Sequence, residues 1–281
     1  MTRRSFIILS LAALTSHAAP LPAAESEHPV SRSAPVERFR FHAGAALLAP
    51  AGVAADGAVC VGTADGYVHS LAADGNFRWS RSVSGAVIRQ PILSGQLWFI
   101  VTNAERIFAL TAEGSLAWIF KPPSPIASEL AVDATGVSYF VAADQYLYGI
   151  SAHGGVCLRA PFGALKAGPA RAADGAVWAE NQAGGLISVR GPALRHVTRA
   201  SAEFEFESPD ELRDPGGHVW RARADGVLEF RSKPSAPTQL FPLTSASLLR
   251  PVWSAATRGA LISARDGLVV LLALPRDVQT P

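Results

Sequence analysis

The 281-residue sequence predicts an all-β fold, a β-propeller of about six four-stranded blades. Three series of residues predict it. The first is a set of turn dipeptides, Asp65-Gly66, Glu105-Arg106, Asp144-Gln145, Gly184-Gly185, Asp225-Gly226 and Asp266-Gly267, each between two short apolar runs. Neighbours in this set lie about 40 residues apart, a blade-length period. The second series, Pro50, Pro91, Leu130, Pro169, Leu212 and Pro251, precedes the first by about 13 to 15 residues, and the third, Trp79, Trp118 and Leu158, follows it by about 14. Three markers in constant phase are far harder to produce by chance than one.

Bulk composition agrees. Alternating runs of Val, Ile, Leu and Phe, with 24 Gly and 20 Pro, suit many short strands joined by tight turns, and a charged fraction of 17% is too low for a disordered chain. The net charge is +2, and no basic stretch interleaves with aromatics, which excludes a nucleic-acid footprint.

Residues 1–24 read as a signal peptide. Arg3 and Arg4 are followed by an apolar run from Phe6 to Leu14 and then by small residues, with Ser16-His17-Ala18 or Ala23-Ala24 as cleavage sites. The run is too short for a permanent span of a bilayer about 30 Å thick. Thr2-Arg3-Arg4-Ser5-Phe6 also fits a twin-arginine signal, the alternative being an ordinary positive start. Residues 25–35, within the Ala-, Ser- and Pro-rich run from Pro20 to Pro35, form a linker. Residues 36–275 are one domain and 276–281 a tail.

The first unit predicts strands over Ala46–Val53, Ala58–Gly62, Tyr67–Ala72 and Phe77–Arg81. Asp-Gly between the second and third supplies the positive φ of a type I′ hairpin turn. A further turn, Ala73-Asp74-Gly75, is matched by Ala112-Glu113-Gly114 and Ala152-His153-Gly154. After Asp266-Gly267 the chain offers one more strand, Leu268–Leu274, so the sixth unit lacks its outermost strand. Val36–Phe41 lies about 11 residues before Pro50, close to the spacing from Trp79 to Pro91. The N-terminal strand is therefore expected to complete the last blade. Cys60 falls on a second strand and Cys157 on an outermost strand two blades away, beyond the ~7 Å reach of a disulfide, so both are expected as separate thiols.

The text from Asp65 to Trp79, D-G-Y-V-H-S-L-A-A-D-G-N-F-R-W, resembles the PQQ-like repeat of quinoprotein dehydrogenases and of BamB, the outer-membrane assembly lipoprotein. Glu105 to Trp118 repeats it with the first Gly missing. The likeness is good over Gly57–Phe120, fair to Gly155, weak over Gly175–Arg231, and returns at Asp225–Phe230 and Arg265–Leu272. The resemblance implies a propeller in which the Trp docks between blades. It also implies eight blades, where this chain has room for about six. The vicinal cysteines and calcium ligands of quinoprotein dehydrogenases are not recognisable, so no cofactor is expected, and no lipid-anchoring Cys follows the signal.

No catalytic set stands out. The seven histidines, His17, His28, His42, His69, His153, His196 and His218, lack metal-ligand spacing, and there is no G-x-S-x-G elbow. Glu203, Glu205 and Glu207 alternate with Phe204 and Phe206 as on a half-exposed strand. One Asp per blade at the turns is turn chemistry, where calcium needs several converging oxygens. One constellation has binding character: the residues before the in-phase Pro or Leu, namely Ala49, Gln90, Glu129, Gly168, Glu211 and Arg250, with Arg89 and Asp210 adjacent. On first strands they would form a polar collar at the channel mouth, either salt-bridged among themselves or open to a small polar ligand or a partner's side chain. Phe204 and Phe206, in an expanded fourth unit, are a candidate partner contact, the competing reading being a degraded blade.

The function expected is a non-enzymatic exported scaffold, periplasmic or secreted and monomeric, binding an envelope protein or peptide as the BamB resemblance implies. It would carry no metal, no nucleic acid and no transmembrane span in the mature chain. The alternative is a small-ligand binder or a quinoprotein- or lactonase-like enzyme using the central channel.

Overall fold

The computed structural model describes residues 34–172, 174–191, 193–197 and 211–275, all within the compact unit Arg32–Pro281. The expected signal peptide, most of the expected linker and the tail, together with Phe204 and Phe206, lie outside the described residues. Those described form 24 strands in six four-stranded antiparallel sheets and no helix. An N-terminal strand, β1 (Val36–His42), comes first. Blade one follows as β2 (Gly52–Val53), β3 (Val59–Gly62), β4 (Tyr67–Leu71) and β5 (Phe77–Ser82), and blade two as β6 (Ile92–Ser94), β7 (Leu97–Thr102), β8 (Arg106–Thr111) and β9 (Leu116–Phe120). Blade three is β10 (Ala131–Val132), β11 (Ser138–Val141), β12 (Tyr146–Ile150) and β13 (Val156–Pro161). Blade four is β14 (Leu165–Arg171), β15 (Val177–Asn181), β16 (Leu186–Arg190) and β17 (Ala193–Val197). Blade five is β18 (Glu211–Arg213), β19 (Val219–Ala222), β20 (Val227–Arg231) and β21 (Gln239–Pro242). Blade six begins with β22 (Val252–Ser254), β23 (Gly259–Ser263) and β24 (Leu268–Ala273), and β1 is its fourth strand.

That last pairing closes the ring, as the spacing of Val36–Phe41 predicts. β1 runs antiparallel to β24 from Val36 opposite Ala273 to His42 opposite Leu268. The residue after β1 repeats a bond made after other outer strands: Ala43 N–H donates to Gly267 O (2.9 Å) as Val83 N–H does to Gly66 O (2.8 Å) and Leu243 N–H to Gly226 O (3.1 Å).

Side chains seal the blades together. Trp79 Nε1 donates to Ala112 O of the next blade at 2.7 Å, and Trp118 Nε1 to Ala152 O at 2.9 Å. Each indole covers a turn glycine of that neighbour, so a Cβ on Gly114 would lie 2.6 Å from the Trp79 ring, and one on Gly154 2.9 Å from Trp118. In blade six the indole's place is taken by Phe39 of β1, whose ring lies against Gly75 of blade one. Apolar clusters fill the junctions one–two, two–three, three–four, five–six and six–one. Among the described residues no such cluster spans blades four and five.

Two expectations are corrected. The second-to-third-strand turns are not type I′. Gly66 N–H closes on Thr63 O and Thr63 N–H on Tyr67 O, and only Gly66 of the loop has positive φ, at 85°; this is a three-residue type I turn with a glycine bulge. The glycine that blade two lacks is replaced by Glu105 itself, at φ 55°, and blade three uses Gln145 at φ 65°. Left-handed backbone costs a non-glycine residue about 1–2 kcal/mol. Since Glu105 is exposed, Glu105→Gly is expected to stabilise the protein by about 1 kcal/mol, read as a higher urea midpoint at unchanged slope. The second correction is the first strand of blade one, which is confined to Gly52–Val53. Upstream residues bond to blade six instead, through Leu47 N–H to Arg265 O (3.3 Å) and Ala51 N–H to Ser263 Oγ (3.0 Å). The blade number is six, as the length of the repeat array predicts, and not the eight of the families the repeat resembles.

Candidate functional site

The channel mouth is built by the segments that cross from the outer strand of one blade to the inner strand of the next. Backbone bonds pin each segment before it turns inward. Val87 N–H donates to Thr63 O and Ile88 N–H to Val101 O, both at 3.0 Å. Leu248 N–H reaches Arg223 O at 3.1 Å and Leu249 N–H reaches Ser263 O at 2.8 Å. The residues that follow, Arg89-Gln90, Glu129 and Arg250, are thus set on a rigid frame just before β6, β10 and β22.

Part of the expected collar converges. Arg89 Nε lies 3.5 Å from Glu129 Oε1 and donates to Ser128 O at 3.0 Å. Ser128 is itself fixed, its hydroxyl donating to Glu129 O (2.7 Å) and accepting from Val141 N–H (2.9 Å). Burial among the channel walls pushes the Glu129 carboxyl above its ordinary range, against the pull of Arg89, the Gln90 amide and Arg250. Burial likewise lowers the Arg250 guanidinium, with Glu129 opposing the shift. Glu129 therefore feels cations from both blade two and blade six. Its side chain nevertheless keeps 59% of its surface accessible.

The rest of the collar does not join. Glu211 pairs with Arg213 of its own strand at 2.9 Å. Ala49 is buried and Gly168 brings no side chain; Asp210, like Phe204 and Phe206, lies outside the described residues. What remains is Arg89 against the Glu129 carboxylate, with Arg250 near enough to act on it through its charge and Gln90 alongside. This arrangement can bind an anionic or amide group by charge-assisted hydrogen bonds. It does not fit the calcium-bound quinone of the quinoprotein enzymes, because a lone carboxylate flanked by two cations makes a poor calcium ligand. The two cysteines are also far from vicinal, Cys60 buried on β3 and Cys157 exposed on β13, both free.

Two buried polar knots escape a reading of the repeat. Asp214 accepts from the Gly216 amide (2.9 Å), the His218 amide (3.0 Å), His218 Nδ1 (2.9 Å) and Trp220 Nε1 (3.0 Å). Asp133 accepts from the Thr135 amide and hydroxyl (2.8 and 2.7 Å), the Val137 amide (3.1 Å) and Tyr139 Oη (2.9 Å). It also takes the Gly191 amide of blade four, and Gly191 O lies within reach of the Tyr139 hydroxyl as its alternative acceptor. Although burial pushes the Asp133 carboxyl up, these donors outweigh it and hold the group below its ordinary value. The shared signal is an Asp six residues before an aromatic, at the same turn of blades three and five. Both knots are enclosed by the fold and serve packing.

Among the described residues no helix is long and apolar enough to cross a membrane, and no three His, Cys, Asp or Glu side chains group as a metal site would. The family described as outer membrane protein assembly factor BamB matches residues 24–189. No curated protein matches this sequence. Among solved structures, the crystal structure of BamB from Moraxella catarrhalis is similar at 16% identity and a TM-score of 0.52, covering 86% of this chain and 92% of that one. At that identity the likeness speaks for the fold.

Proposed function

We propose, from the premise that this chain belongs to the PQQ-like repeat family of outer membrane protein assembly factor BamB, that it is an exported, non-enzymatic propeller that binds another envelope protein or peptide at one face of the ring. The observation that carries the reading is the partly desolvated cluster of Arg89, Glu129 and Arg250 on a frame pinned by three blades. Such a cluster has a binder's chemistry: fixed charges of both signs held side by side. BamB proteins are named for outer-membrane assembly, which supports an envelope location and a protein as the partner.

The test is capture from an envelope extract by the wild-type chain and by Glu129→Gln/Arg250→Gln. Glu129→Gln is isosteric and Arg250→Gln keeps a polar, hydrogen-bonding end, so the variant should stay folded, with its unfolding temperature measured alongside, and retain less than a tenth of the captured partner. Equal capture by both chains would refute the role of the mouth. A new absorbance band on adding pyrroloquinoline quinone with calcium would favour the enzymatic alternative.

A further inference from the structure

A strand at the edge of a sheet presents unpaired N–H and C=O groups, and folded proteins guard such edges with charges or prolines. The six outer strands here can be compared directly. β5 carries Arg78 and Arg81, β13 Arg159 and Pro161, β17 Arg195, β21 Pro242, and β1 Glu37, Arg38 and Arg40. Only β9, Leu-Ala-Trp-Ile-Phe, carries neither a charge nor a proline. Its Leu116 and Ile119 are 55% and 49% exposed. On its inner side β9 pairs with β8, and among the described residues no backbone bond is made on its outer side.

β9 also walls a groove of about 570 Å³ between blades two and three. The groove is lined by Ala117 and Trp118 of β9, Gln96 of blade two, and Thr135, Ala152 and His153 of blade three. Its floor is fixed, because Trp118 Nε1 is held by Ala152 O. An unguarded hydrogen-bonding edge thus lies beside a preformed space large enough for one or two side chains.

We infer that the outer edge of β9 is a docking site for an extended, uncharged segment of a partner protein, which adds a fifth strand to blade two and places a side chain in the groove beside Trp118. The edge itself specifies the occupant. Only an extended backbone can satisfy a row of strand donors and acceptors. Charge complementarity asks for an uncharged one, since β9 itself offers no charge to an ionised group set opposite Leu116, Trp118 or Ile119. Pro122 and Pro123 follow directly after Lys121 and end the pairing, so about five residues, or roughly 17 Å of strand, are read. This inference goes beyond the channel-mouth reading and does not depend on it.

The probe is the peptide acetyl-Thr-Val-Thr-Val-Thr-Val-amide, with an isomer N-methylated at alternate residues as its control. Amide resonances and hydrogen exchange of the protein are followed by NMR. The peptide is expected to slow exchange of the outward amides within Leu116–Phe120 at least tenfold, with no comparable change on β5 or β13. Both N-methylation and Ile119→Lys, a change at an exposed position that leaves the unfolding temperature unaltered, should weaken binding at least tenfold. Equal binding of the N-methylated isomer, equal binding to Ile119→Lys, or shifts spread over the other outer strands would each overturn the inference. So would a dimer in sedimentation without peptide that Ile119→Lys abolishes, for the occupant would then be a second copy. Glu129→Gln/Arg250→Gln should bind the peptide as the wild type does, which separates failure here from failure at the mouth.

Discussion

Deleting Val36–His42 is expected to abolish the single cooperative unfolding transition, because blade six would lose its outer strand and the ring its closure. β24 would be left as an edge of Leu268–Ala273, six apolar residues buried in the intact protein, and a bare apolar edge of that length pairs with other chains. The deleted protein should therefore aggregate at concentrations where the full chain is monodisperse. A milder form isolates the side chain. Phe39 covers Gly75 where other blades use Trp, so Phe39→Ala removes a half-buried ring from a sealed junction at a cost of about 2–3 kcal/mol. Phe39→Trp should move the other way. By analogy with Trp79 and Ala112, the indole N–H would reach the carbonyl of Ala73, adding about 0.5–1.5 kcal/mol. Urea unfolding of the two variants reads both signs.

Asp214→Ala is expected to cost about 3–5 kcal/mol. Its carboxylate, wholly buried, is the shared acceptor for two amides, an imidazole and an indole. Truncation leaves those donors enclosed without a partner, each at about 1–3 kcal/mol, with some relief from relaxation. For a domain of this size the unfolding temperature should fall by roughly 10 °C. Asp214→Asn keeps one acceptor oxygen and should lose less than half as much. Calorimetry of the two variants distinguishes a hydrogen-bonding role from simple loss of volume, since Asn and Asp are nearly isosteric.

Much of the fold was legible because each marker of the repeat has a local cause. Gly66, Gly226 and Gly267 stand where the turn needs positive φ, and Trp79 and Trp118 stand where an indole must cover the neighbouring glycine. Local causes repeat with the blade and so appear as a period. What was not legible depends on neighbours. Strand one of blade one reads as Ala46–Val53 by composition, yet Leu47 and Ala51 bond to blade six, a partner some 200 residues away that alternation along the chain does not encode. The turn type was missed because a dipeptide does not reveal loop length; three residues, not two, separate Thr63 from Tyr67.

The collar was half legible for a related reason. Phase placed six positions on inner strands, but which side chains meet depends on their reach. Arg89, Glu129 and Arg250 are long enough to act on one another, whereas Glu211 finds Arg213 on its own strand first. Blade four is irregular in the fold as in the sequence: its inner strand β14 runs over seven residues with two register shifts against β15. The edge of β9 was open to a sequence reading all along, since five uncharged residues flanked by Lys121-Pro122-Pro123 are visible in the text. What the text could not say is that the strand is outermost and faces a groove.

The central claim is that this propeller works by holding a partner at the mouth of its channel. Photo-cross-linking tests it most directly, with a benzophenone amino acid placed at Gln90, at the mouth, and at Lys233, exposed on a turn of blade five. Irradiated in an envelope extract, the Gln90 chain is predicted to form one discrete adduct that Glu129→Gln/Arg250→Gln removes, and the Lys233 chain to form none. No adduct at Gln90, or equal adducts at both positions, would contradict the account.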